Sequence, residues 1–285
     1  MPVRRTGSAR SCLWNWRGRM KLTMLGTGNA LATKRYNTCF VISDGDRHFM
    51  TDGGGGNGIF RQLALGGFDW MELREIFVTH KHIDHLFGIV WMTRMICQFM
   101  THGEYKGEAN IYANDEVISI LRNAAKTLLP QKESRHVDGR LRLVAVKDGE
   151  ERIICGHKTV FFDICSSKAK QFGFRMELEN GETLACCGDE PYNEACRPYV
   201  ENSKWLLHEA FCLHSQADIF DPYEKHHSTV MDACRTAARL NVENLLLYHT
   251  EDKTGEDRKR LYVEEGSPHF PGRIFVPEDL EEVAL

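Results

Sequence analysis

Residues 79–85 read Thr79-His80-Lys81-His82-Ile83-Asp84-His85 and bring three histidines and an aspartate into one short segment. The preceding residues 76–79 are β-branched or aromatic, which predicts a buried strand that ends where the histidines begin. On an extended segment, side chains two residues apart point the same way, so His80 and His82 can bind one ion. Imidazole and carboxylate groups are ligands that zinc prefers. The segment predicts a metal centre, and the alternative is a surface loop that happens to be rich in histidine.

The last two residues of this segment, Asp84 and His85, begin a turn into the next helix. Apolar residues at helical spacing predict that helix over residues 85–100. We expect the two side chains on this turn to face a second ion near the first. The segment is therefore predicted to be half of a two-metal hydrolase site, in which the ions lie roughly 3.5–4 Å apart.

The composition is that of an ordinary soluble protein. Of its 285 residues, 42% are apolar and 27% are charged, and no apolar run is long enough to cross a membrane. The net charge of -4 gives no global attraction for nucleic acid, so neither a membrane nor a specific DNA site is expected as a partner. Ten cysteines are scattered without a CxxC pair, which favours a reducing compartment and predicts a cytoplasmic protein.

The first 19 residues differ from the rest of the chain. They contain several arginines and no acidic residue, and no apolar stretch of a secretory signal follows them. We interpret residues 1–19 as a disordered extension or the result of a start codon placed too early, with an organelle-targeting segment as the alternative. The folded hydrolase domain is then expected to span residues 20–285.

Short strand-like runs alternate with helical ones along this domain, which predicts an α/β protein with two sheets and helices outside them. Strands are predicted at residues 21–25, 39–43, 48–52, 76–79, 110–113, 141–146, 159–164, 172–178, 183–187, 205–207, 244–248 and 273–276. Helices are predicted at residues 59–65, 85–100, 114–129, 229–240 and 257–265, the third with Asn114 as its N-cap. No internal repeat or low-complexity linker divides the domain.

The histidine segment resembles the HxHxDH signature of the metallo-β-lactamase superfamily. Further segments are similar to motifs of its ribonuclease Z branch, in the same order along residues 20–249: Met24-Leu25-Gly26-Thr27-Gly28-Asn29-Ala30 with Arg35, Asp52-Gly53-Gly54-Gly55, Gly188-Asp189, His208-Glu209-Ala210, His227-Ser228-Thr229 and Tyr248-His249-Thr250. The resemblance implies a single domain folded as a four-layer αββα sandwich. It also implies a metal-dependent hydrolase, and it makes a homodimer a candidate assembly.

The resemblance implies ligands for two zinc ions, with manganese or iron as alternatives. The implied set is His80, His82 and Asp189 for one ion, and Asp84, His85, His249 and Asp189 for the other. Asp189 can serve both because a carboxylate has two oxygens, and a hydroxide bridging the metals would be the nucleophile. His82 favours zinc, since iron-containing relatives carry a glutamate in place of one histidine of the signature.

Three residues take catalytic roles by the same resemblance: Asp84, Glu209 and His227. The last two are similar to the pair that assists proton transfer to the leaving oxygen in the ribonuclease Z branch. Without the resemblance, the segments are ordinary. Gly188-Asp189 is a common turn pair, His249 would be a half-buried histidine after an apolar strand, and His227 would cap a helix or lie on the surface.

One metal ligand of the family is missing from its expected place. The family pattern has a further histidine for the first ion, a few residues before a Gly-aromatic pair that corresponds here to Gly173-Phe174. No histidine occurs in residues 165–172. Cys165 is a candidate in its place because thiolates bind zinc well, and His157 is a second candidate. Otherwise the position supplies no protein ligand.

The arm that grips transfer RNA in ribonuclease Z is also missing. Only 14 residues separate Phe174 from Asp189, and Asn180-Gly181 predicts a tight hairpin between them. Together with the acidic net charge, this argues against transfer RNA as the main substrate. We therefore expect a small phosphodiester, a cyclic phosphate or an RNA end, with Lys168, Lys170 or Arg94 available to a phosphate group.

Two other functions remain compatible with the sequence, because a fold does not fix the reaction. The same scaffold serves hydrolases of thioesters, lactones and sulfate esters. A metal-binding protein that has lost catalysis would explain the missing histidine. Phosphodiester hydrolysis is favoured by Glu209 and His227 through the resemblance alone.

Overall fold

The computed structural model describes residues 20–285, so the prediction for residues 1–19 lies outside the described residues. The strands, in chain order, are β1 (Lys21–Gly26), β2 (Cys39–Asp44), β3 (Arg47–Thr51), β4 (Glu75–Val78), β5 (Ala109–Ala113), β6 (Leu141–Ala145), β7 (Glu150–Ile154), β8 (His157–Asp163), β9 (Phe172–Glu177), β10 (Thr183–Cys186), β11 (Trp205–Glu209), β12 (Asn244–Tyr248), β13 (Arg273–Phe275) and β14 (Glu282–Ala284). The helices are α1 (Gly58–Leu65), α2 (Ile83–His102), α3 (Asp115–Leu128), α4 (Gln131–Ser134), α5 (Arg197–Val200), α6 (Ala217–Phe220), α7 (Val230–Arg239) and α8 (Arg258–Gly266).

The strands form two mixed sheets of seven strands each. The first has the order β14-β1-β2-β3-β4-β5-β6, and the second β13-β12-β11-β10-β9-β8-β7. In both, one part is antiparallel and the other is parallel, with β3 to β6 parallel in the first sheet and β10 to β13 in the second. Parallel neighbours need crossover connections, and helices α1, α2, α3, α5, α7 and α8 lie in those connections.

Side chains that alternate along a strand point in turn to the core between the two sheets and to the core between a sheet and its helices. In β4, Phe77 faces the other sheet, whereas Ile76 and Val78 face the helices. Between the sheets, the ring of Phe77 lies 5.0 Å from that of Phe161, and the ring of Phe49 lies 5.2 Å from that of Phe174. Helices cover the two outer faces. The predicted four-layer αββα sandwich is therefore confirmed.

The sequence missed two edge strands and three helices of four residues each, α4, α5 and α6. Strand β7 is mostly exposed and begins with charged residues, so it lacks the buried alternation that signals a strand. Strand β14 has only three residues. Helix α2 begins at Ile83 rather than at His85, because His82 is already the extended N-cap residue. None of the helices described between residues 20 and 285 is long and apolar enough to cross a membrane.

The β9–β10 connection is a tight hairpin. Cys186 pairs with Phe174 and Thr183 with Glu177, and a short helical turn at Glu179–Gly181 joins the strands. No protruding arm is present in this stretch of the described chain. The hairpin places the end of β10, and with it Asp189, directly beside the start of β9.

Candidate metal centre

The candidate ligands lie at the ends of three strands, where the two sheets open at one edge. His80 and His82 follow β4 of the first sheet, and the first turn of α2 carries Asp84 and His85. The second sheet contributes the residues that follow β10 and β12. These are Asp189 and His249. The sandwich thus brings together residues that are more than 150 positions apart in the chain.

Six side chains form two adjacent groups, and within each group the ligand atoms lie within 4.8 Å of one another. The first group is His80, His82 and Asp189, and the second is Asp84, His85 and His249. Within the first, Nε2 of His80 lies 2.8 Å from Nδ1 of His82. Within the second, Nε2 of His85 lies 3.4 Å from Oδ2 of Asp84. The arrangement matches the grouping expected from the sequence, and ligation of ions by these groups stays a prediction.

A single oxygen of Asp189 faces both groups. Its Oδ2 lies 3.6 Å from Nε2 of His80, 3.4 Å from Nε2 of His85 and 3.5 Å from Nε2 of His249. From the sequence, the carboxylate was expected to offer both of its oxygens, but Oδ1 accepts a hydrogen bond from the amide of Gln171. Any sharing of Asp189 between the groups in this arrangement is therefore through Oδ2.

Buried partners fix the rings of three of these histidines from behind. Asp52 accepts a hydrogen bond from Nδ1 of His85 at 2.8 Å and from the hydroxyl of Thr79 at 2.8 Å. That hydroxyl lies 2.9 Å from Nδ1 of His80, and the hydroxyl of Thr38 lies 3.2 Å from Nδ1 of His249. Because the Nδ1 atoms are engaged, the Nε2 atoms are left to face the centre. Such outer partners orient metal-binding histidines in proteins.

The Asp52 loop can reach these histidines because it packs directly against α2. A Cβ atom on Gly88 would lie 1.8 Å from the carbonyl oxygen of Gly53, so only glycine fits at that position of the helix. The amide of Gly53 donates to the carbonyl of His85 at 2.9 Å, which locks the loop to the first turn of α2. Asp52 itself has a φ of 59°, a conformation that aspartate tolerates better than most residues.

Burial keeps two of the imidazoles neutral. It lowers the pKa of His80 well below its usual value and the pKa of His249 to about 3, against the opposing effect of Asp189. For Asp189, burial opposes ionisation, yet the neighbouring histidines hold its pKa well below the usual value. Neutral imidazoles beside an ionised carboxylate are the protonation states that a divalent cation requires of its ligands.

His85 lies between carboxylates. Burial opposes its protonation, yet Asp84 and Asp52 raise the pKa of His85 well above its usual value. Its Nε2 is buried and has no hydrogen-bond partner among the described residues, although it is directed at Asp189. An unsatisfied buried nitrogen that faces carboxylates fits a cation-binding position. The donor atoms present in both groups therefore suit a divalent metal such as zinc.

Glu209 and His227 lie together beside the second group. Oε2 of Glu209 lies 3.6 Å from Nδ1 of His227, and Oε1 accepts a hydrogen bond from the amide of Ser228. The ring of His227 stacks on Phe211 at 4.8 Å and lies 5.3 Å from the ring of His249. Glu209 is fully buried, and His227 is 9% exposed. The pair predicted from the sequence is thus placed next to the candidate ligands.

The two candidates for the missing ligand lie elsewhere. Cys165 has a φ of 58° and is exposed, and its sulfur lies 3.9 Å from the carbonyl of Asp163 rather than in either group. The left-handed turn at this residue directs the thiol away from the centre. His157 contacts the carbonyl of Glu177 at 3.0 Å and Asp44 at 3.1 Å, at the start of β8 and so at the opposite end of that strand from the centre.

Gln171, for which the sequence predicts no role, reaches the centre instead. Its Nε2 lies 2.8 Å from Nδ1 of His80 and donates to Oδ1 of Asp189. Its position inside the segment that lacks the family histidine was the one available signal. No role was expected for Thr38 or for Thr79, although Thr79 opens the histidine segment, because a threonine hydroxyl is not itself a signal of metal binding.

The three basic side chains expected to meet a phosphate group differ in the contacts that they make. Lys170 is paired with Asp115 at 2.7 Å, and the guanidinium of Arg94 lies over the ring of Trp91. Lys168 is exposed on the loop between β8 and β9 and forms no ion pair with the described residues. Lys168 and Arg94 form no ion pair among the described residues, and of these two only Lys168 is exposed.

Comparisons with known proteins identify the family to which the chain belongs. A sequence profile of the family described as Anti-Pycsar protein Apyc1 matches residues 20–265 of the chain. The chain belongs to the Apyc1 family. The profile spans every candidate ligand and the Glu209–His227 pair of this Apyc1-family chain.

The Apyc1-family chain is also similar to individual proteins, in sequence or in structure. Ribonuclease Z of Thermococcus sibiricus is 26% identical over 311 residues, which cover 93% of this chain and 96% of the relative. The metallo-β-lactamase fold protein YhfI of Bacillus subtilis has a TM-score of 0.76 at 17% identity, covering 94% of this chain and 100% of that one. A diphosphatase of the PhnP family has a TM-score of 0.70 at 17% identity, covering 94% of this chain and 97% of that one.

These findings confirm the resemblance found in the sequence. The chain has the metallo-β-lactamase fold and is similar in sequence to ribonuclease Z. The structural likenesses show the fold, and the sequence relatives together with the two ligand groups support a metal-dependent hydrolase.

Proposed function

We propose that this protein is a metal-dependent phosphodiesterase that hydrolyses small phosphodiesters, with a cyclic phosphate or an RNA end as the substrate. One observation carries the proposal. Oδ2 of Asp189 lies 3.4 Å from Nε2 of His85 and 3.6 Å from Nε2 of His80, so two groups of ligand atoms share one carboxylate beside the Glu209–His227 pair. That is the arrangement a two-cation hydrolase needs.

The ligand groups support two zinc ions per chain. Each group combines imidazole nitrogens with a carboxylate oxygen, which suits zinc better than magnesium or calcium, while manganese and iron remain alternatives for the test. When bound, such ions would supply Lewis acidity and a nucleophile at neutral pH, in keeping with the hydroxide expected from the sequence.

Side chains of the protein would transfer the proton to the leaving oxygen. Glu209 faces Nδ1 of His227 and leaves Nε2 as the atom that can donate to the leaving oxygen. Phe211, stacked on the ring at an interplanar angle of 5°, holds the imidazole in this orientation. Full burial of Glu209 excludes water from the carboxylate and strengthens its interaction with the imidazolium.

The size of the substrate follows from the β9–β10 hairpin. Its turn at Glu179–Gly181 offers no arm to hold a folded RNA, and the net charge of -4 gives no broad basic surface. Lys168 at the rim can meet one phosphate group. These features favour a compact substrate whose phosphorus centre fits between the two groups, even though the relatives named ribonuclease Z share the fold.

A substrate panel with the zinc-loaded full chain tests the proposal. It should contain bis(4-nitrophenyl) phosphate, 2′,3′- and 3′,5′-cyclic nucleotides, a transfer RNA precursor, an aryl sulfate, a thioester and a lactone. We expect turnover of the diesters, including at least one cyclic nucleotide. Turnover of the sulfate, thioester or lactone alone would overturn the phosphodiesterase assignment.

Two further outcomes bear on parts of the proposal. Faster cleavage of the transfer RNA precursor than of every small diester would contradict the compact substrate. Bound metal without turnover of any compound would favour a metal-binding protein that has lost catalysis. The variant Glu209→Gln, measured on the same panel, would separate activity of this site from that of a contaminating phosphatase.

A further inference from the structure

Gln171 occupies a fixed position behind the candidate metal centre. It immediately precedes β9 and is 1% exposed. Its carbonyl accepts from the amide of Ile164 at 3.1 Å, and the next residue, Phe172, donates its amide to the carbonyl of Thr79 at 3.0 Å. The first bond ties the start of β9 to the end of β8 and the second ties it to the end of β4, so the glutamine side chain is directed between the two sheets.

The amide group of this side chain has little freedom to move. It packs on Gly188, where an added Cβ atom would lie 2.8 Å from Cδ of Gln171. Nε2 donates to Oδ1 of Asp189 and lies 2.8 Å from Nδ1 of His80. Exchanging the amide's oxygen and nitrogen would suit Nδ1 of His80, but it would set an amide oxygen against the ionised carboxylate of Asp189, so the carboxylate decides the observed orientation.

We propose that Gln171 is a positioning residue whose amide holds Oδ1 of Asp189 and thereby leaves Oδ2 alone to serve both groups of candidate ligands. The inference rests on the metal centre of the proposed function but not on the choice of substrate. The three distances of 3.4–3.6 Å from histidine nitrogens all run to Oδ2, and the protein's own amide engages the other oxygen.

The consequence is specific to this chain. The segment before Gly173-Phe174 supplies an amide nitrogen, which has no lone pair to bind a cation, in place of a ligand. The first group therefore depends on His80, His82 and an Asp189 whose angle is set by Gln171. Loss of the amide would let the carboxylate rotate, and the affinity for the metal in that group should fall most.

The test is metal affinity, measured on the full chain with Zn²⁺ against a competing chelator and with Co²⁺ by its visible absorption. We expect Gln171→Leu and Gln171→Met, which lack the amide and add no charge, to weaken at least one metal site by about 10–100-fold, as is usual for an outer partner of a metal ligand. Both should change the Co²⁺ spectrum, because the geometry around the carboxylate changes. The methionine variant keeps the length of the side chain and so guards against a mere packing defect.

Gln62 provides the matched control. It is also a buried glutamine, 8% exposed, but it donates to the carbonyl of Leu25 away from the centre. Gln62→Leu should leave metal affinity and the Co²⁺ spectrum unchanged, whatever it does to thermal stability. Affinities of both Gln171 variants within twofold of wild type, with unchanged spectra, would overturn the inference.

The outcomes also separate this inference from the proposed function. A wild-type chain that binds no divalent ion would overturn the metal centre and the role of Gln171 with it. A chain that binds metal with the predicted dependence on Gln171, but cleaves no phosphodiester, would support this inference and contradict the phosphodiesterase.

Discussion

Replacing Asp52 with asparagine should impair metal binding although Asp52 is not itself a candidate ligand. The carboxylate accepts from the amide of Thr79 at 2.8 Å through Oδ1, and from His85 and the Thr79 hydroxyl through Oδ2, both at 2.8 Å. In Asp52→Asn, the amide oxygen can still accept from the backbone of Thr79. The NH₂ group must then face Nδ1 of His85, where two donors meet.

That conflict has a defined consequence for His85. Its ring can accept from the new NH₂ group only by moving the hydrogen to Nε2, the nitrogen that faces Asp84 and Asp189. A protonated Nε2 cannot bind a cation. The loss of an outer partner of this kind typically costs about 10–100-fold in metal affinity, which corresponds to about 1.4–2.7 kcal/mol. Asparagine tolerates the φ of 59° at this position, so the backbone should be preserved.

The assay is a Zn²⁺ competition titration of the full chain, with circular dichroism to verify the fold. Asp46→Asn is the matched control, because Asp46 is exposed in the turn between β2 and β3. We expect wild-type affinity in the control and the full loss in Asp52→Asn. Equal affinities in the two variants would refute the argument that Asp52 sets the hydrogen position on His85.

Four further predictions concern individual side chains. Asp84→Ala should abolish hydrolysis with an unchanged circular dichroism spectrum, and near-wild-type turnover would exclude its role. Glu209→Gln should lower kcat by about 10²–10⁴-fold at unchanged metal content, as expected for a proton-transfer pair; a lower metal content would instead assign it a structural role. Cys165→Ser should leave metal content unchanged by elemental analysis, because the thiol lies against Asp163, and the loss of one ion would restore it as a ligand. The thermal stability of the metal-free chain should fall as the pH falls from about 6.5 toward 3. Burial lowers the pKa of His249 to about 3, so the imidazole of the unfolded chain takes up its proton at a higher pH than that of the folded chain. In His249→Gln, the melting temperature should depend less on pH over this range, and an unchanged dependence would contradict the prediction.

The fold was predictable where burial imposes a period on the sequence. In β4, alternation puts Phe77 between the sheets and Ile76 against the helices, and the same rule located most other strands. It failed for β7, whose side chains mostly face solvent and therefore show no period. The start of α2 was misplaced because His82 adopts an extended N-cap conformation within the motif itself.

The sequence predicts those candidate ligands that residue type and order along the chain are enough to identify. His80 to His85 signal metal binding by local spacing, whereas Asp189 and His249 were found only through the family resemblance. The role of Gln171 could not be predicted, because it depends on how β9 is bonded to Thr79. The thiol of Cys165 was a chemically reasonable ligand, but a left-handed turn directs it elsewhere. Such errors arise where backbone geometry, rather than residue type, decides which side chain reaches the centre.

The central claim is that two groups of ligands, which share Oδ2 of Asp189, each hold a divalent ion. Elemental analysis of the full chain, purified without chelator and equilibrated with Zn²⁺, tests this most directly. We expect two zinc ions per chain and the loss of both, or nearly so, in Asp189→Ala. A stoichiometry of one or zero in the wild-type chain, or two ions retained in Asp189→Ala, would contradict it.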